Sequence, residues 1–303
     1  MQVTKAVGDE LRSSILRLLA HDSFSVLELC KLFKMAQPAL SHHLKLLSEA
    51  GLVAKRREST NVFYHRVRAQ DDPLLSSIFE AIDRRVISTG MQQRIEKIYS
   101  ERAKRSEQFF ATHAKALHTQ NELICPSSVY APSVIEATCS ANGKRDNALE
   151  IGPGSGELML ELSEHFRQVV GIDSSEQMLA VTAATIADRK NIQLIKKDFF
   201  ALPRIRKYDA LIAAMVIHHL ASPKRFFRQA ANVMKPKGTL VIAELCAHTQ
   251  DWVKDLCGDL WLGFETDSLN GWAKDAGFIS THQQYLAQRN GFRIQINNYI
   301  LSS

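Results

Sequence analysis

The stretch Leu149-Glu150-Ile151-Gly152-Pro153-Gly154-Ser155-Gly156, with an acid closing the later run Val169-Val170-Gly171-Ile172-Asp173, decides the fold of this 303-residue chain. An apolar run leads into three glycines at the spacing GxGxG, and Glu157-Leu158-Met159-Leu160-Glu161-Leu162 follows as a helix. Strand, glycine loop and helix in that order let a ligand approach bare backbone, because glycine tolerates the turn conformations and puts no side chain in the way. An acid ending the next apolar run, about 20 residues further on, is placed to accept hydrogen bonds from both hydroxyls of a ribose. The expected ligand is therefore an adenosine compound. A nicotinamide fingerprint GxGxxG would need glycine at 157, where the chain has Glu157.

The motif resembles the signature of class I S-adenosylmethionine-dependent methyltransferases, and the likeness continues in order over roughly residues 145–303. By that resemblance Glu150 takes the place of the family's acid near the amino-acid end of the ligand, which carries an ammonium group. Gly152, Gly154 and Gly156 form the loop, and Asp173 matches the ribose acid, with Ser174 and Met178 just beyond it. Asp198 matches the polar residue that reads the adenine amino group, beside Phe199, which is able to bury the ring. Tyr208-Asp209-Ala210-Leu211-Ile212-Ala213-Ala214 looks like the fourth strand, with Ala214 at its cleft end. Lys235 to Ala243 resembles the turn and fifth strand, and the alternation Ile294, Ile296, Asn298, Ile300 resembles the last, antiparallel strand. The implied fold is α/β, a Rossmann-like domain with a seven-stranded, mostly parallel sheet, and the implied cofactor is S-adenosylmethionine or S-adenosylhomocysteine.

Methyl transfer needs a nucleophile held in line about 3 Å from the methyl carbon, and sometimes a base. The resemblance places His218 and His219 where acceptor and cofactor meet, as candidate catalytic residues. Equally open is a packing role for one of them and solvent for the other. Trp252, Trp261, Phe264 and Trp272 either close an acceptor pocket or cover the sheet.

With 45% hydrophobic residues the chain can bury more than one core, and its length suggests two domains. Residues 1–120 hold 19 Lys and Arg against 13 Asp and Glu, whereas 121–303 hold 19 against 19, so all of the net charge of +6 lies in the first part. Such asymmetry points to a polyanionic partner for that part. No apolar run is long enough to span a membrane and Met1-Gln2-Val3-Thr4-Lys5 lacks a signal-peptide core, so a cytosolic location is expected. The five scattered cysteines, without any CxxC pair, fit reduced thiols.

The basic part has its own pattern. Ser25-Val26-Leu27-Glu28 reads as a capping box starting a short helix through Phe33, Lys34-Met35-Ala36 as a tight turn, and Pro38 as the first turn of a second helix that ends near Gly51. Leu40, Leu44 and Leu47 should face the core of this helix-turn-helix, leaving Gln37, Ser41, His42 and Lys45 for base edges and phosphates. Leu52 to Arg57 and Val62 to Val67 read as a hairpin that offers Lys55, Arg56, Arg57 and Arg66 to a DNA backbone.

These first 70 or so residues resemble the winged helix-turn-helix of the ArsR family of bacterial repressors. The most characteristic segment is Gln37-Pro38-Ala39-Leu40-Ser41-His42-His43-Leu44-Lys45-Leu46-Leu47, followed by Gly51-Leu52-Val53. The resemblance implies a homodimer on a two-fold double-stranded DNA operator. Many family members sense metal or arsenic through thiolates. Here Cys30 stands alone, with Leu32 where the metal box has its second cysteine, so no metal is expected.

Asp72-Pro73-Leu74-Leu75 begins a helical stretch to about Gly90, and Gln92 to Leu117 reads as a second, charged helix with an incomplete stripe of Ile95, Ile98, Tyr99 and Phe109 or Phe110. A dimer seam and a spacer arm fit this stripe equally well. Cys125 to Pro132 then breaks helix. The expected organisation is a DNA-binding domain at 1–70, a helical linker or dimerisation region at 71–122, and the S-adenosylmethionine-binding domain at 123–303. Two functions follow: a regulator with the nucleoside as effector, or an active small-molecule methyltransferase with an attached DNA-binding domain.

Overall fold

The computed structural model describes residues 2–69, 72–140 and 144–302, with the backbone alone for 114–122, and the chain divides into two units, Met1–Glu101 and Arg102–Ser303. In the first unit, α1 (Gln2–Val7) leads to α2 (Glu10–His21), capped by Asp9, whose carboxylate accepts from Arg12 N at 2.9 Å. β1 (Phe24–Ser25) runs into α3 (Val26–Phe33), started by the expected capping box: Ser25 Oγ accepts from Glu28 N, and Glu28 accepts from Ser25 N at 2.8 Å. Lys34 turns the chain through the left-handed region, and α4 (Gln37–Glu49) carries Pro38 in its first turn and is followed by Gly51 at φ 69°. β2 (Val53–Glu58) and β3 (Asn61–Arg66) form the hairpin, and β3 pairs with β1 in a sheet of order β1-β3-β2. Leu40, Leu44 and Leu47 are buried where α4 meets α2 and α3, as their spacing requires.

α5 (Pro73–Asp83) packs on α2 and stops well short of Gly90, because Arg84 caps it onto Glu80 O and α6 (Thr89–Ile124) starts afresh. The first turns of α6 belong to the first unit. Ile95, Ile98 and Tyr99 are buried there, Tyr99 stacks on Phe24 at 6.1 Å, and Arg94 Nε donates to Leu32 O at 2.7 Å. This half of the apolar stripe is thus consumed within the unit.

In the second unit, α7 (Ser127–Cys139) occupies most of the segment read as a helix break. Pro126 stands just before the first turn, where no intrahelical donor is lost, and Pro132 is accommodated inside the helix. Then β4 (Asn147–Ile151), α8 (Glu157–His165), β5 (Gln168–Asp173), α9 (Glu176–Ile186), β6 (Ile192–Lys196), β7 (Tyr208–Ala214), α10 (Pro223–Val233) and β8 (Met234–Leu245) alternate as a parallel α/β domain. α11 (Val253–Leu256), α12 (Thr266–Asp275), β9 (Phe278–Ala287) and β10 (Arg293–Leu301) complete it. The seven-stranded sheet has the order β6-β5-β4-β7-β8-β10-β9, with β10 antiparallel to both neighbours. The core lies between this sheet and its helices: Ala148, Ile212, Val241, Ala243 and Ile296 meet Leu158, Met159 and Leu162 of α8.

The tail aromatics pack against other rings and loops of the domain. Trp272 packs on Phe264 and Phe227 at 5.7 and 6.3 Å, Trp252 on Phe292 at 5.8 Å, and Trp261 Nε1 donates to Leu220 O at 2.8 Å. Among the described residues no helix is long and apolar enough to cross a membrane.

Candidate functional site

On the first unit, α4 turns Gln37, His42 and Lys45 to solvent and leaves Ser41 half-buried. Lys45 pairs with Glu49 at 3.8 Å, an exposed contact worth about 0.3–0.5 kcal/mol. Residues alternate along β2, so Lys55 and Arg57 share its exposed face while Arg56 turns to the other and pairs with the buried Glu58. Arg66 is also drawn inward. Its guanidinium donates to both oxygens of Asp83 at 2.7 Å and lies 4.2 Å over the Phe79 ring. Of the four cations expected on the wing, Lys55 and Arg57 are the two left exposed.

On the second unit, strand order reverses between β4 and β7: β5 follows β4 on one side and β7 lies on the other. The loops leaving these two carboxyl ends diverge and open a crevice, the usual ligand position in an open α/β sheet. Gly152, Gly154 and Gly156 have φ of 61°, 54° and 85°. A Cβ on Gly152 would stand 2.6 Å from Val216 Cγ2, and one on Gly156 would crowd Thr182 and Ile186, whereas one on Gly154 would meet open space. Two glycines thus let the loop pack, and the third leaves its backbone open to the crevice. Gly152→Ala should destabilise the unit by about 1–3 kcal/mol through strain and overlap, read by chemical denaturation, and adding Val216→Ala should recover only the overlap.

The cleft has a volume of about 230 Å³. Its walls are the start of α7 with Tyr130, the end of β4 with Glu150, the loop residues Gly152 and Gly154, Met178 and Val181 of α9, and Ala214 and Met215 at and just after the end of β7. The Glu150 carboxyl is buried, and its Oε2 has no hydrogen-bond partner among the described residues. Burial pushes it up to about 8, so the free protein holds it mostly as the neutral acid at pH 7. Asp173 ends β5 with Oδ1 accepting from Ser175 N at 2.8 Å; burial pushes this carboxyl up to about 6, against the pull of the Ser175 and Ser174 amides.

The remaining expected ligand residues do not line this cavity, although Asp173 ends β5, the strand next to β4. Gly156, Asp173, Ser174, Asp198 and Phe199 are not in the cleft wall. Asp198 caps a short 3-10 turn by accepting from Phe200 N at 2.9 Å, and the Phe199 ring turns inward onto Phe226 at 5.4 Å. Its side chain is part of the core.

His218 and His219 also stand outside the wall. Glu244 grips His218 twice, with Oε1 2.5 Å from the ring Nδ1 and Oε2 accepting from the backbone N–H at 3.2 Å. Burial opposes charge on the ring, but Glu244 and Asp259 outweigh it and hold the imidazole up to about 9. An imidazole that two carboxylates favour in the protonated form is a poor base at neutral pH. Its contribution to stability is fully present below pH 6.5 and lost as pH rises through about 9. His219 has the opposite fate: burial and the charge of His218 hold it well below its ordinary value, and Phe110 covers it edge-on at 4.8 Å. His218, His219 and Asp259 bring possible ligand atoms within 4.8 Å of one another, yet a cation there would have to displace the proton that two carboxylates hold on His218.

Residues 9–55 match the family described as bacterial regulatory protein, arsR family. Over 83 residues the chain is 39% identical to an uncharacterized HTH-type transcriptional regulator of Methanocaldococcus jannaschii, an overlap that takes in 27% of this chain and 89% of that protein. The chain belongs to the arsR family of regulatory proteins. Unlike its short relative, this arsR-family protein carries a methyltransferase domain, matched over residues 149–242. It is 30% identical over 150 residues to the tRNA U34 carboxymethyltransferase of Pseudoalteromonas atlantica, which is 46% of each chain, so it spans about half the length of that relative. A chain in the solved complex of the Haloferax volcanii Trm112 methyltransferase activator superposes with a TM-score of 0.55 at 15% identity, over 65% of this chain and 97% of that one. That likeness establishes the fold and leaves the chemistry to the site.

Tyr130, Val181 and Met215 line the cleft of this arsR-family protein without having been read from its sequence. Tyr130 comes from a helix upstream of the glycine loop, and only the Pro126-Ser127-Ser128 helix start hints at it. Met215 sits in the left-handed region at φ 53°, a strained position that no residue pattern announces.

Proposed function

We propose that this protein is a dimeric DNA-binding transcriptional regulator whose methyltransferase-like domain binds S-adenosylmethionine or S-adenosylhomocysteine as an effector. The observation that carries the reading is the buried, unpartnered Glu150 oxygen at the wall of a cleft floored by open glycine backbone. An orphaned buried carboxyl costs stability unless a donor or cation arrives. Glu150 suits the ammonium of an amino-acid end, Asp173 at the end of the neighbouring strand suits a ribose diol, and Gly154 leaves open space at the cleft wall. The bound nucleoside in its methylated form would supply an electrophilic methyl group. Neither candidate histidine is placed to assist that transfer: two carboxylates favour the protonated form of His218, and Phe110 packs on His219.

α4 and the Lys55 and Arg57 face of the hairpin are the elements suited to DNA. Replacing Lys55 and Arg57 together with Ala should lower the slope of log affinity against log salt by about two, because each lost phosphate contact releases one counterion fewer. A mobility-shift titration over a salt series checks this, and an unchanged slope places both residues off the DNA.

The effector reading is tested on DNA selected from a random library by the full chain. Adding S-adenosylhomocysteine or S-adenosylmethionine should change the dissociation constant about 5- to 150-fold, the range that a coupling of roughly 1–3 kcal/mol produces. No change with either compound removes the effector role. The second reading, an active small-molecule methyltransferase, has the matching methyltransferase domain in its favour. It requires tritiated methyl groups to leave the cofactor for an added acceptor.

A further inference from the structure

The stretch of α6 that lies in the second unit carries two phenylalanines whose role the glycine loop and the carboxylates do not explain. Phe109 and Phe110 pack edge-to-face at 5.8 Å, and both rest on Met178, the α9 residue of the cleft wall. Phe110 meets His219 edge-on at 4.8 Å, beyond the end of β7. Phe109 lies so close to Gly258, at φ 76°, that a Cβ there would overlap its ring, and its other face stacks on His113 at 4.4 Å. Arg102, earlier on the same helix, donates to Ala221 O at 2.9 Å and lies 5.1 Å over the Trp261 ring. The helix is therefore tied down beside the loops that follow β7 and β8, and its aromatic pair bridges from α9 to those loops.

A methyl acceptor must reach the sulfur of a nucleoside held at its ribose and amino-acid ends, and it must come in line with the bond that breaks. The ground over the end of β7, where His219 lies, is covered by the chain's own rings. We propose that Phe109 and Phe110 occupy the place an acceptor would take, so that they set which adenosyl compounds the cleft holds. This inference rests on the reading of the cleft as an adenosyl amino-acid site. A bare sulfur or a methyl sulfonium fits beneath the rings, and a bulky sulfur substituent collides with them. Packed aromatic rings yield poorly to added volume, which makes the pair a filter.

The test is calorimetric titration of S-adenosylhomocysteine and its S-benzyl sulfonium analogue into the full chain and into a Phe109→Ala, Phe110→Ala double variant. The wild-type chain should bind the benzyl compound about 100-fold more weakly than S-adenosylhomocysteine, and the double variant should bring the two within about tenfold. Equal affinities in the wild type, or undiminished rejection by the double variant, overturn the filter. Phe110→Leu keeps an apolar contact on Met178 should the double variant fail to fold. It should narrow the gap by about tenfold, and an unchanged gap also overturns the proposal. A wild-type chain that binds no S-adenosylhomocysteine would sink the ligand assignment itself, a result distinct from any change in discrimination.

Discussion

Asp173→Ala should weaken S-adenosylhomocysteine binding by about 100-fold or more while leaving the DNA affinity of the ligand-free protein unchanged. The proposed role of Asp173 is to accept from both ribose hydroxyls, and two charge-assisted hydrogen bonds are together worth roughly 3 kcal/mol even at the low end of their range. The carboxylate also accepts from Ser175 N at the start of α9, so part of the change falls on the ligand-free fold. Thermal melting of the free variant separates that local cost from the lost contacts. Calorimetry gives the affinity and a mobility shift the DNA side; equal losses of both would mean that the substitution acts through folding.

The second large effect is a pH dependence with a definite sign. Burial holds Glu150 protonated up to about 8 and Asp173 up to about 6 in the free protein, and both are assigned to bind the ligand as carboxylates. Affinity should therefore fall as pH falls, by roughly tenfold per unit between 8 and 6 and more steeply below 6. Above about 8 Glu150 is already ionised in the free protein, so this gain levels off. The free protein behaves in the opposite way. A carboxyl raised above its unfolded value favours the folded state at low pH, and that advantage drains away as pH rises through the folded value. Glu150→Gln should flatten the binding profile between pH 6 and 8, keep the fall below 6, and reduce affinity at pH 8 by roughly 100-fold through loss of the ammonium partner. A variant that retains the full slope would assign the titration to another group.

The parts of this protein that were legible in its sequence are those encoded locally. The capping box at Ser25 and Glu28, the leucine spacing of α4 and the glycine loop after β4 each depend on residues a few positions apart, and each forms where its spacing places it. The closing antiparallel strand was equally plain, because β10 buries nearly all its length against two neighbours. What escaped depends on partners far along the chain. Arg66 reads as a wing cation until Asp83 and Phe79 draw it inward. Phe199 reads as an adenine platform until Phe226 claims its ring. His218 and His219 look alike in sequence, yet Glu244 charges one and Phe110 covers the other. The aromatic pair of α6 was visible as part of an apolar stripe. Which surface it would meet was not, because that depends on Met178 and Gly258, far along the chain.

The most direct measurement of the central claim is calorimetric titration of S-adenosylhomocysteine into the full chain at pH 7, in two buffers of different ionisation enthalpy. The account predicts one saturable site per chain and release of about one proton per ligand, as Glu150 gives up the proton that burial held on it. Absence of saturable heat, or binding with no proton released, would contradict it.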